Sequence, residues 1–165
     1  MLDKIKMYRA GLGVTRLHNM PHISHYDNGS HSANAALLAH EICVANDINS
    51  AAVVLYMLKH DLHEFYTGDI PAYVKTDNQP LGDAIHALEM HIESSHKIDL
   101  PVLSYIECNV AKFCDLAELG FYCIKEKKLG NINLMGILRV VTSKCDIYTS
   151  LIGVSQIVEY FEGEL

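Results

Sequence analysis

Residues 60–75 read His60-Asp61-Leu62-His63-Glu64-Phe65-Tyr66-Thr67-Gly68-Asp69-Ile70-Pro71-Ala72-Tyr73-Val74-Lys75, and they follow an almost wholly apolar run, Ala51 to Leu58. On a helix, Val53, Met57, His60 and Glu64 fall four, three and four residues apart and share one face. The inward stripe therefore passes from hydrocarbon to imidazole and carboxylate. Burying an unpaired carboxylate is costly, so a polar break in a buried stripe points to a functional site. The competing reading, a solvent-facing helix end, requires that the break stand alone.

Two other helices carry the same interruption. Asn28-Gly29-Ser30 reads as a turn with Ser30 as N-cap of a helix over about 31–46, whose stripe is His31, Ala35, Leu38 and Ile42. Asp99-Leu100-Pro101 reads as the start of a helix running to about Lys128, and its stripe of Tyr105, Cys108, Lys112, Asp115, Leu119 and Tyr122 is broken by Lys112 and Asp115. His31, His60, Asp61 and Asp115 thus each occupy a place where apolar contact is expected. Adjacent residues such as His60 and Asp61 differ by about 100° around a helix, so both reach one ion against its flank. Two imidazoles and two carboxylates suit a first-row divalent ion, Zn, Co, Mn or Fe, with positions left for water and substrate. The set contains no thiolate, which argues against a closed structural zinc site.

The remaining chain frames this constellation. A short helix over residues 2–10 is expected to end at Gly11 and Gly13, and residues 14–29, with Arg16, His18, His22 and His25, read as a long polar loop. Loops of this length in compact domains carry function, which makes His18, two residues after Arg16, a candidate substrate contact. A third helix, capped by Asn49-Ser50, is expected to carry the motif as far as Thr67-Gly68, with a turn over 69–75. In a fourth helix, about 81–96, His86, His91 and His96 lie five apart and spiral around the axis, so they read as solvent-facing. A last helix, about 132–161, supplies apolar residues to close the core. Strand-like alternation is missing, so the expected fold is all-α, a bundle of about six helices in one domain spanning residues 1–165.

Composition narrows the partners. The formal charge of −7 attracts neither nucleic-acid polymers nor membranes. An anionic substrate must then be held by a local group of cations. The five cysteines form no Cys-x-x-Cys pair and read as free buried thiols in a reducing compartment. No apolar run reaches the roughly 20 residues that span a bilayer, and no signal-peptide core follows Met1, so the expected location is the cytoplasm.

The ordered set His31, His60-Asp61 and Asp115 resembles the HD-domain metal phosphohydrolases. The extended pattern His60-Asp61-x-x-Glu64-x-x-Thr67-Gly68-Asp69-x-Pro71-x-x-x-Lys75 is similar to the YfbR-like 5'-deoxynucleotidases and to small phage deoxynucleoside triphosphate triphosphohydrolases, including the dATP type. The resemblance implies that His31, His60, Asp61 and Asp115 hold the catalytic metal and that Glu64 manages protons. It implies that Asp69 contacts the deoxyribose hydroxyl, that Arg16 lies over phosphate and sugar, and that Lys75 and Lys112 lie near the phosphates. Mg is then conceivable as a second, phosphate-bound ion. Two positions differ from the family pattern: Ser30 stands where an acidic residue is common, and Leu17 where an aromatic is.

The implied reaction is hydrolysis of a deoxynucleoside triphosphate, dATP first, to deoxynucleoside and triphosphate. A 5'-deoxynucleotidase acting on monophosphates and a non-catalytic nucleotide sensor are the alternatives. Relatives of this kind form homo-oligomers, and the same is expected here.

Overall fold

The computed structural model describes residues 1–165 and contains nine α-helices, one 3-10 turn and no β-strand. The all-α expectation holds, but the helix count is higher than six because two expected helices are broken and one short helix is added. Helix α1 covers Leu2–Leu12, α2 Asn28–Ala45 and α3 Ser50–Met57. The short α4 and α5 cover Glu64–Thr67 and Ala72–Thr76. They are followed by α6 over Gln79–His96, α7 over Tyr105–Lys128, α8 over Met135–Cys145 and α9 over Val154–Gly163.

The helix expected to run through the motif stops at Met57. Its ladder gives way because the His60 Nδ1–H donates to Met57 O at 2.8 Å, taking the carbonyl that an unbroken helix offers to the Asp61 amide. Bonds of the tighter i to i−3 kind follow, Lys59 N to Tyr56 O and Leu62 N to Lys59 O at 2.9 and 3.0 Å. His60 and Asp61 therefore sit on a turn, not on a helix face. Gly11 of α1 packs directly over this turn: a Cβ there would lie 2.7 Å from Leu62 O.

Two helix starts also differ from expectation. Asp27, not Ser30, caps α2, accepting the Ser30 amide at 2.7 Å. Helix α7 begins at Tyr105, after Ser104, which forms a capping box with Glu107, and Pro101 lies in the extended segment before it. The expected final helix is split by the 3-10 turn Asp146–Tyr148 and by Gly153, whose φ of +92° ends one segment and opens the next.

Helices α2, α3, α7 and α8 enclose the core. Ala35, Ala39, Val53, Met57, Val110, Phe113, Cys114, Leu138 and Phe161 are all fully buried within it. All five cysteines are free, and all but Cys108 are buried. Burial pushes the Cys123 and Cys145 thiols up to about 12, which makes them inert apolar packing.

The loop between α1 and α2 is closed at both ends. Thr15 and Asp27 form an isolated antiparallel bridge, with Arg16 N bonded to Tyr26 O at 3.0 Å. Farther along, the fully buried Glu126 carboxylate accepts from Ile23 N, Ser24 N, Ser24 Oγ and Asn131 Nδ2 at 2.6, 2.8, 2.6 and 2.7 Å. Burial opposes the charge, but the donors, Ser24 foremost, outweigh it and hold the carboxyl at about 2. A depressed carboxylate stabilises the fold above its unfolded value and loses that contribution as pH falls. Glu126→Gln is therefore expected to cost about 3 kcal/mol at neutral pH, and the gap from wild type should close as pH drops from 4.5 towards 2. Urea denaturation of both proteins across that range checks this.

Candidate active site

The first turn of α2 delivers His31, the turn after α3 delivers His60 and Asp61, and the middle of α7 delivers Asp115. One donor atom from each of His31, His60 and Asp115 lies within 4.8 Å of the others. His31 Nε2 is 2.9 Å from Asp115 Oδ1 and 3.9 Å from Asp61 Oδ2. His60 Nε2 is 3.2 Å from Asp61 Oδ2 and 3.6 Å from Asp115 Oδ1.

Both imidazoles are turned the same way. Each Nδ1 has a partner, Glu118 Oε2 at 2.6 Å for His31 and Met57 O at 2.8 Å for His60. Each Nε2 is buried with no hydrogen-bond partner. Two orphaned lone-pair positions aimed at two carboxylates are what a divalent ion fills, so the residues present fit a metal.

Without such an ion the balance is kept by protons and by an arginine. Burial alone would drive the His60 proton off, but Asp61 and Asp115 outweigh it and hold its pKa well above the ordinary value; His31 is raised in the same way by Asp115 and Glu118. Burial likewise opposes the charges of Asp61 and Asp115, and the imidazoles hold both carboxyls below their usual range. The Arg16 guanidinium donates to Asp61 Oδ2 and to Asn28 Oδ1, the latter at 3.0 Å.

Glu64, at the start of α4, is buried beside this cluster and accepts from Asn28 Nδ2 at 2.7 Å. Burial and the neighbouring Asp61 charge push its carboxyl up to about 7. Asn28 thus links Arg16 to Glu64, a role that its place in a turn-like Asn-Gly-Ser run does not suggest. Asp69 Oδ2 accepts the Leu17 amide at 2.8 Å. Leu17 has a left-handed φ of +51°, a strained conformation for a branched residue, and the Asp69 bond holds it there.

The other sequence candidates are dispersed. Lys112 is exposed, makes no ion pair and lines a cavity of about 180 Å³ with Tyr56, Met57, His60, Leu103, Cys108, Ala111 and Asp115. Lys75 is held by Glu89 Oε1 at 2.7 Å, and His18 is exposed and makes no hydrogen bond. Glu89 and Glu93 of α6 face the buried His63 at 3.6 and 3.4 Å. His86, His91 and His96 are exposed, as their spacing predicts.

Comparison with known proteins agrees with this geometry. The profile of the YfbR-like 5'-deoxynucleotidase family matches residues 12–103, a span that includes Arg16, His31, His60, Asp61, Glu64, Asp69 and Lys75. Among solved structures, the fold is similar to that of a cyanophage S-2L HD phosphohydrolase, DatZ, bound to dA and one catalytic Zn2+ ion. The TM-score is 0.67 at 15% identity, and the match covers 95% of this chain and 93% of that one. At that identity the likeness is one of fold. No curated protein matches the sequence.

Proposed function

The chain belongs to the YfbR-like 5'-deoxynucleotidase family, and from that membership we propose that it hydrolyses deoxynucleoside triphosphates, dATP first, at the bond between the 5' oxygen and phosphorus. It is an HD-domain, metal-dependent phosphohydrolase acting on deoxynucleotides, and the finer assignment concerns which one. The observation that carries the reading is the pair of orphaned imidazole nitrogens facing two carboxylates, with a buried, proton-holding Glu64 beside them. We read residues 1–165 as one HD domain.

In this mechanism His31, His60, Asp61 and Asp115 would hold a divalent ion. A divalent ion held there would supply Lewis acidity to a phosphoryl oxygen and to a water. Asn28 orients Glu64, whose raised pKa suits it to take a proton from water near neutral pH and return it to the leaving 5' oxygen. Arg16 and the unpaired Lys112 neutralise charge on the phosphate oxygens. Asp69, with one oxygen engaged by the Leu17 amide, offers the other to the deoxyribose hydroxyl. His18 lies next to Leu17 on the same loop, exposed and without a hydrogen bond, and serves as a further substrate contact in this reading.

A second reading has one observation in its favour. Lys75 is engaged by Glu89, which leaves Lys112 as the unpaired lysine at the donor set and suits a shorter anion, the deoxynucleoside monophosphate. A panel of deoxy- and ribonucleoside mono- and triphosphates, assayed with Zn, Co and Mn, separates the two. Release of intact triphosphate from dATP well above release of phosphate from dAMP is the expected result, and the reverse ranking establishes the second reading. Binding of nucleotides without any product would make the protein a sensor.

A further inference from the structure

We propose that Glu118 is a positioning residue that fixes the tautomer of His31 and strengthens it as a metal ligand. The inference rests on the metal reading above and extends it to a residue outside the donor set.

Asp115 and Glu118 lie three apart on α7, so both project from one side of the helix. They hold opposite edges of the same ring: Asp115 Oδ1 is 2.9 Å from His31 Nε2, and Glu118 Oε2 is 2.6 Å from Nδ1. A proton kept on Nδ1 by Glu118 leaves the Nε2 lone pair directed into the site. His60 is held by a neutral backbone carbonyl, whereas His31 is held by a carboxylate. A charged acceptor makes the imidazole the stronger donor to an ion.

Glu118 is itself buried, and its other contacts keep it in place. The Tyr26 hydroxyl donates to the same Oε2, and Asn34 Nδ2 lies 3.4 Å from Oε1. Tyr26 is locked in turn by stacking on Tyr122 with ring centroids 3.8 Å apart. The Tyr26 hydroxyl also lies 3.2 Å from His31 Nδ1, so Tyr26, Glu118 and His31 form one buried group. A carboxylate this deeply buried is expensive unless it serves its neighbours, and its Oε2 is shared by the Tyr26 hydroxyl and His31 Nδ1.

Titration of Co2+ against a competing chelator tests the assignment in the full-length protein. Wild type should bind one tight ion, and Asp115→Ala should lose it. Glu118→Gln, which preserves shape and removes charge, should still bind one ion but about 10- to 100-fold more weakly. A purely structural role would lower the melting temperature of Glu118→Gln and leave the affinity of the folded protein within about twofold of wild type, and that result overturns the proposal. Should Glu118→Gln not fold, Glu118→Asp, which keeps the charge but withdraws it from Nδ1, must show the same weakening. Absence of a tight site in wild type would instead bring down the metal reading itself, and this assignment with it.

Discussion

Asp115→Ala is expected to lower hydrolysis to about a thousandth of the wild-type rate or less and to lose the divalent ion, while the protein stays folded. The first part follows from the donor set: His31, His60 and Asp115 present atoms mutually within 4.8 Å, and a metal centre supplies several kcal/mol of transition-state stabilisation, about 10³-fold or more in rate. The second part follows from exposure. The Asp115 side chain is 44% exposed, so its loss opens no cavity, and the imidazoles it faces are free to shed a proton. Metal content by elemental analysis, rate, and melting temperature together check the result. Retention of full activity without a stoichiometric ion would sink the mechanism.

Glu64→Gln separates activity from stability in opposite directions. Loss of the proton-handling carboxyl is expected to lower turnover by about 10²- to 10⁴-fold, with the ion still bound because Glu64 lies outside the donor set. In protein stripped of metal the same change should stabilise the fold. A carboxyl whose pKa is raised from 4.5 to about 7 binds its proton more tightly folded than unfolded. Stability then falls as pH rises between those values. Glutamine mimics the protonated form and keeps the Asn28 contact, so the variant should exceed wild type by about 2–3 kcal/mol at pH 8 and match it at pH 4. Urea melts at the two pH values, paired with turnover assays of the metal-loaded proteins, check both halves. A variant that is less stable at pH 8, or one that keeps wild-type turnover, contradicts the role given to Glu64.

The donor set was legible in the sequence because each member breaks an apolar period: His31 before Ala35 and Leu38, His60 after Val53 and Met57, Asp115 among Cys108 and Leu119. That inference tolerated a local error. His60 and Asp61 sit on a turn, yet they still point inward, since a 3-10-like turn keeps nearly the same facing as a helix over so few residues. The break itself depends on a side chain bonding to a backbone carbonyl, which periodicity does not register.

What the sequence left out are residues whose partners lie far along the chain. Glu118 meets His31 and Tyr26 across 87 and 92 residues. Asn28 meets Glu64 across 36. The split of the last helix is of the same kind, since Asn46 Oδ1 accepts the Ile152 amide at 2.9 Å and holds the chain where a continuous helix would have passed. The start of α7 is different: Ser104-Tyr105-Ile106-Glu107 is a capping-box pattern in plain view, and the reading of Pro101 as the first helical residue set the start four residues too early.

The loop that carries Arg16 is secured at its margins, by the Thr15–Asp27 bridge and by Glu126. At its tip, Leu17 is held through its amide, and His18 bears none of the fastening. Such an arrangement makes the tip replaceable. The side chain at position 18 is thus exchangeable at little cost to folding, while the scaffold and the donor set stay put.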